Sequence, residues 1–298
     1  MSDTALPPDR PTLGLWLRVG SIAAFAVMGL CVKLTADAFP VGQIVFYRSA
    51  FALIPLILFM WAQGAFPEQL ATSRPLGHVL RCLAGCAAMF TAFASLKYLS
   101  LADYTLIGFL TPLVTAILAF TLLGETLGWR GWGGILIGFV GVLLLVWPDL
   151  AGHTDQQGYL TGVAFGIATA FLTAIAKIQI RTLSRTEHAG TIAFYFALAC
   201  TFAGALTAIT GWKTPDLSDL ALLIGAGIFG GIAHILMTLA IQLCPLTRQA
   251  GLDYLALFFA AIIDVVVLAL YPTLWSLGAS VLILFAAWIT FQDSKPRT

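Results

Sequence analysis

Charge is scarce in this chain: of 298 residues only 10% are Asp, Glu, Lys or Arg, against about 25% in an ordinary soluble domain. That shortage excludes a water-soluble globular fold. A formal net charge of +1, with no basic block and no acidic tail, removes nucleic acid and polyanions from the expected partners. Cysteine is sparse and odd in number, and Cys31, Cys82, Cys86, Cys200 and Cys244 show no CxxC spacing, so neither a disulfide framework nor a zinc site is expected. Also missing are HExxH, a paired acidic metal motif, a Ser/His/Asp set at a membrane surface and a Walker A sequence. No catalytic residue, metal, cofactor or ATP-driven step is therefore expected, and the chain does not read as an enzyme. The opening "MSDTALPPDRP" lacks a basic n-region and a small-residue cleavage site, so residues 1–12 read as a retained disordered tail.

What is present is apolar: 60% hydrophobic residues and a mean hydropathy of +0.95. Ten runs reach the roughly 20 residues that a spanning helix needs: 14–35, 41–63, 77–97, 104–123, 130–148, 159–180, 190–211, 218–242, 249–270 and 275–292. They break at turn chemistry such as "DAFPVG", "WAQGAFPEQ", "LGETLG" and "WPDLAGHTDQQG". The runs are continuous rather than alternating and about twice the length of a barrel strand. The expected fold is an all-α integral membrane protein with ten transmembrane helices, a lipid bilayer as its surroundings and a C-terminal tail at 293–298. A monomer is expected, with a dimer as the alternative. Ten of the fifteen Lys and Arg residues fall on the side of the N-terminus, two (Lys97 and Lys213) on the other, and Lys33, Arg48 and Lys177 within spans. This bias predicts cytoplasmic termini.

The chain also repeats itself. "CVKLTADAFPVGQIVFYRSAFAL" aligns with "IAKIQIRTLSRTEHAGTIAFYFALAC", matching Lys33 to Lys177, and "LGETLGWRGWGGILI" aligns with "LYPTLWSLGASVLIL". Five helices per half is odd, so the halves, 13–148 and 158–292, would cross the membrane in opposite senses. Inverted repeats of this kind build secondary transporters with a central site between the halves.

"YRSAFAL" in the second run and "TPLVTAILAFTLLGETLGWRGWGGILIGFVGVLLL" across the fourth and fifth resemble the EamA-type branch of the drug/metabolite transporter superfamily. The resemblance implies two five-helix halves around a central cavity. It also implies alternating-access export of small molecules across a bacterial inner membrane, with amino acids, aromatic ones included, as the substrate. Drugs, vitamins or nucleotide-related metabolites are the alternative. Its most specific feature is Pro112 followed by Gly124-Glu125; the second half carries Tyr271-Pro272 where Gly-Glu would recur. Glu125 and Pro112 are accordingly structural expectations.

Ionisable residues inside spans are costly, and each is a functional candidate. Arg48 starts seven residues into the second run, roughly 10 Å below the outer surface. Two readings stay open for it: an anchor of the first hairpin with Asp37 as the nearest carboxylate, or an attractor of anionic substrate groups. Lys33 and Lys177 are gate candidates, and Asp264 is the candidate proton carrier. His234, Thr238, Met89, Phe90, Thr111, Thr173, Met28, Tyr254 and Phe258 are the expected cavity lining, offering hydroxyls to a zwitterion and soft apolar surface to its side chain.

Overall fold

In hydrocarbon a backbone finds no water, so each apolar run must satisfy its own N–H and C=O groups as a helix. The computed structural model describes residues 11–64, 66–67, 70–72, 74–123, 129–150, 158–183, 186–187, 189–243, 252 and 255–293. Among the described residues there is no strand. The helices are α1 (Pro11–Thr35), α2 (Val41–Ala62), α3 (Pro75–Tyr98), α4 (Leu101–Gly108), α5 (Leu110–Leu123), α6 (Trp129–Leu150), α7 (Tyr159–Leu183), α8 (Ala189–Leu206), α9 (Leu217–Leu243), α10 (Leu255–Val266) and α11 (Leu274–Asp293). Six of them are long and apolar enough to cross a membrane: α1, α2, α3, α7, α8 and α9. Large apolar side chains remain exposed around the bundle, among them Trp129 at 80%, Val281 at 69% and Phe202 at 66%, a surface suited to lipid. This is a multi-pass membrane protein.

Two of the expected runs are modified for local reasons. The fourth is divided at Phe109, because Pro112 has no N–H to donate to the Gly108 carbonyl. The ninth is shorter than its apolar run: α10 ends at Val266, Ala269 adopts φ 53° and the Leu270 N–H donates to the Asp264 carbonyl at 2.8 Å. A left-handed residue closes a helix C-terminus in this way. Asp264 therefore stands in the last turn of its helix and not two-thirds of the way along a longer one.

The principal packings set α1 against α9, α3 against α7, α6 against α11, and α2 against both α8 and α9. Smaller ones join α3 to α8, α1 to α10, and α4 and α5 to α7. Small residues let the backbones approach closely, as membrane helices require where hydrophobicity gives no drive. A Cβ built on Gly204 of α8 would lie 2.7 Å from the Phe46 nitrogen and 2.9 Å from the Gly42 carbonyl of α2. One built on Gly227 of α9 would lie 3.0 Å from the Arg48 carbonyl. Hydroxyls supplement these contacts: Ser21 Oγ donates to the Ala233 carbonyl at 2.9 Å, and Ser95 Oγ to that of Gly162 at 2.8 Å.

The connection into α9 is held from both ends. Gln43 of α2 donates through Nε2 to the Lys213 carbonyl at 2.7 Å and accepts the Lys213 N–H at 3.1 Å. Asp216 caps α9, its carboxylate accepting the Asp219 N–H at 2.7 Å and the Ser218 hydroxyl at 2.8 Å. Those bonds, the Asp219 N–H foremost, hold its pKa below the ordinary carboxylate value. A depressed folded pKa gives stability that is present above the unfolded value, about 3.9, and lost as pH falls through the folded one. The melting-temperature gap between the native chain and Asp216→Ala should therefore stay constant from neutral pH down to about 4 and close below it; a gap unchanged at lower pH would remove the carboxylate from the cap.

Candidate substrate-binding site

Five of the long helices share a hydrophobic core that includes Val32 of α1, Ile44 and Val45 of α2, Met89 and Phe93 of α3, Phe196 and Cys200 of α8 and Leu223 of α9. Two arginines lie buried in it. Arg48 is 3% exposed and Arg81 of α3 is 7% exposed. Space for both comes from missing side chains. A Cβ on Gly230 would lie 3.1 Å from Arg48 Nε and 3.0 Å from Met28 Sδ, while one on Gly85 would collide with Arg81 Nη1 and the Phe196 ring. The Arg81 guanidinium stacks 4.3 Å above the Phe196 ring centroid. Phe196 faces His234 edge-on at 6.4 Å, and His234 meets Phe25 of α1 edge-on at 5.1 Å. Cys86 and Cys200 approach to 2.9 Å between sulfurs, and Ser49 Oγ donates to Met89 Sδ at 3.6 Å. Both guanidiniums lie within electrostatic reach of Cys200 and of His234.

Among the described residues neither arginine has a counterion. Arg48 Nε and Arg81 Nε and Nη1 are buried without a hydrogen-bond acceptor, and among the described residues no carboxylate pairs with either group. Asp37 is exposed and does not pair with Arg48. The Arg48 side chain is thus turned into the bundle, away from the rim. Arg81, counted among the basic residues on the side of the N-terminus, is a core residue, which leaves the sidedness count of basic residues at nine to two.

A second polar cluster occupies the α3–α4 turn. Asp264 of α10, 3% exposed, accepts the Leu101 N–H on Oδ1 at 3.0 Å and the Ala102 N–H on Oδ2 at 2.6 Å. Ser100 caps the same helix by accepting the Asp103 N–H at 3.0 Å. Asp103 in turn accepts Ser276 Oγ of α11 at 2.8 Å and Tyr159 Oη of α7 at 3.4 Å. On the other side of the turn, Lys33 Nζ donates to the Leu96 and Lys97 carbonyls of α3 at 2.9 and 3.4 Å. The cation thus meets the carbonyl end of one helix and the carboxylate the N–H end of the next, the favourable sense for both helix dipoles. Asp264 has a structural partner set as well as the candidate role in proton transfer.

Of the expected lining, His234, Met28, Met89 and the partly buried Phe90 belong to the core around the arginines. Thr111 is buried on α5 and its carbonyl accepts Thr115 Oγ1 at 2.7 Å. Thr173 is half-buried and Lys177 exposed, both on α7. Phe258 is 59% exposed and packs on Phe259, a surface position rather than a cavity one. Pro112 and Thr238 are described in backbone only, and Glu125 and Tyr254 lie outside the described residues. Arg81 is the residue that sequence reasoning missed, and its apolar flanks in "HVLRCLAGC" were the available signal. A second missed signal is "LADYTLIGF" beside "GLDYLALFF", which matches Asp103-Tyr104 to Asp253-Tyr254.

Residues 12–147 match the EamA-like transporter family. Over that segment the chain is similar to transporters of the drug/metabolite type. It is 29% identical over 254 residues to the S-adenosylmethionine uptake transporter of Rickettsia bellii, covering 85% of this chain and 84% of the relative. It is 24% identical over 249 residues to the pseudopaline exporter of Pseudomonas aeruginosa, covering 83% and 85%. A crystal structure at 21% identity superposes with a TM-score of 0.66 over 93% of this chain and 96% of that one, a likeness of fold.

Proposed function

We propose that the transporter moves small carboxylate-bearing metabolites, amino acids and their derivatives first among them, by alternating access between two inverted five-helix repeats at 13–148 and 158–292. The observation that carries this reading is the exchange symmetry of the packing. Trading α1, α2, α3, α4–α5 and α6 for α7, α8, α9, α10 and α11 turns the α1–α9 packing into α3–α7, α2–α9 into α3–α8, and α1–α10 into the packing of α4 and α5 on α7. The α2–α8, α6–α11 and α4–α10 packings map onto themselves. The six membrane-length helices are likewise the first three of each half. Inverted repeats carry their site where the halves meet, and the arginine cluster, built from α1, α2 and α3 on one side and α8 and α9 on the other, supports a site at that meeting.

The direction proposed is export across a bacterial inner membrane with both termini cytoplasmic. S-adenosylmethionine, named for one relative, is itself an amino-acid derivative and supports the substrate class; it equally favours a nucleoside-bearing metabolite as the second reading. Lys33 and Asp264 act here as an outer gate that clamps the α3–α4 turn. Protonation of Asp264 would remove acceptor capacity from the cap, so proton carriage and gate release would be one event. The test is uptake of labelled amino acids and S-adenosylmethionine into proteoliposomes, with and without a pH gradient. Accumulation above empty liposomes is expected; flux confined to solutes lacking a carboxylate would reject the substrate class.

A further inference from the structure

We propose that Arg48 and Arg81 jointly bind the oxyanion head group of the transported metabolite, a carboxylate or a phosphate, an assignment that rests on the transporter reading above. An ion buried without a counterion is strongly unfavourable, and here two of like sign share one core with unsatisfied N–H groups on each. Stacking on Phe196 relieves Arg81 in part; nothing comparable faces Arg48 Nε. The missing partner is an anion, and a guanidinium fork matches the two oxygens of a carboxylate or phosphate. Three described carboxylates are committed elsewhere: Asp264 to the α3–α4 turn, Asp103 to Ser276 and Tyr159, and Asp216 to the α9 cap.

Placement fits a site served from two sides. Arg48 is the eighth residue of α2 and Arg81 the seventh of α3, about 10 and 9 Å along helices that start at opposite faces in the proposed topology. The Cys86–Cys200 contact lies between α3 and α8 beside them. An anion entering from either face meets one guanidinium first and is handed to the second, with His234, Phe25 and Phe196 left to receive the rest of the solute.

Cys86 supplies the probe. In the purified full chain with Cys86 as its sole cysteine, modification rates are measured with anionic methanethiosulfonate ethylsulfonate and cationic methanethiosulfonate ethylammonium. Each rate is divided by that of the same reagent on a free thiol. The anionic-to-cationic ratio should exceed the free-thiol ratio by about tenfold at low salt, and fall towards it in Arg48→Gln and in Arg81→Gln. Benzoate or phenyl phosphate should slow the anionic reagent while benzylammonium does not, the stronger of the two anions naming the head group. A ratio equal to that of the free thiol, or one untouched by both substitutions, overturns the proposal. Should the sole-cysteine chain not fold, melting temperature of the otherwise native chain decides. The anions should raise it, and each Arg→Gln change should raise it without ligand while abolishing the anion effect, because an uncompensated buried charge has been removed. A lowered melting temperature with the anion effect intact would make both arginines structural anchors and reject the site. The reading beneath is tested separately: charge selectivity without any flux would reject the transporter and leave the anion site standing.

Discussion

Asp264→Ala should lower the melting temperature of the purified transporter by about 6–12 °C. Its carboxylate satisfies the Leu101 and Ala102 N–H groups, and hydrogen bonds to a charged group are worth about 1.5–3 kcal/mol each. Allowing for water reaching the vacated site leaves about 3 kcal/mol in total, and about 2–4 °C follows per kcal/mol in a chain of this size class. Asp264→Asn keeps one acceptor oxygen and loses the charge, so its effect should be about half as large. The same loss releases the turn that joins α3 and α4 to α10. A cysteine placed at Leu268, beside that cap, should then react faster with an impermeant maleimide in the Ala variant. Unchanged stability and unchanged reactivity would remove Asp264 from any clamping role.

Gly204→Val should leave little folded protein. The added Cβ meets the Phe46 nitrogen and Cα and the Gly42 carbonyl inside 3.0 Å, all backbone atoms of α2, so no side-chain rotation relieves the clash. Overpacking of side chains alone costs about 1–3 kcal/mol, and a backbone collision exceeds that. The failure would also reach the site, because α2 is the helix that carries Arg48. Gly225→Ala is the control: its Cβ would lie 3.6 Å from Cys31 Sγ, ordinary contact, and its folded yield should match that of the native chain. Normal yield and melting temperature for Gly204→Val would mean that α2 and α8 do not pack through this glycine.

Sequence patterning located the membrane-length helices because length and apolarity are properties of one segment at a time. The division of the fourth run at Phe109 likewise follows from one residue of that segment, Pro112, which has no N–H to donate. What a single segment does not contain is the direction in which a side chain points. Arg48 was legible as an expensive charge, but whether it reached the surface or the interior depended on Gly230 of a helix far away in sequence. Arg81 was counted with the basic residues at the cytoplasmic helix ends because it stands early in the third run, and its contact with Phe196 is a tertiary fact. Asp264 was singled out as a carboxylate within a span. Its depth was misjudged because the apolar run continues beyond the point where Ala269 ends the helix, and its partners belong to a turn more than 160 positions earlier. Lys33 was placed at the outer end of its span, and the α3 carbonyls that it caps required the fold.

The central claim is that one site, built around Arg48, Arg81 and the Cys86–Cys200 contact, is reached in turn from the two faces of the membrane. The most direct measurement is the labelling of the sole-cysteine Cys86 chain by an impermeant maleimide in right-side-out and in inverted vesicles, with and without excess S-adenosylmethionine or amino acids. Alternating access requires reaction from both faces, slowed from both by a transported solute and speeded from the outside by Asp264→Ala. Reaction from one face alone, unaffected by solute and by the gate variant, would contradict it.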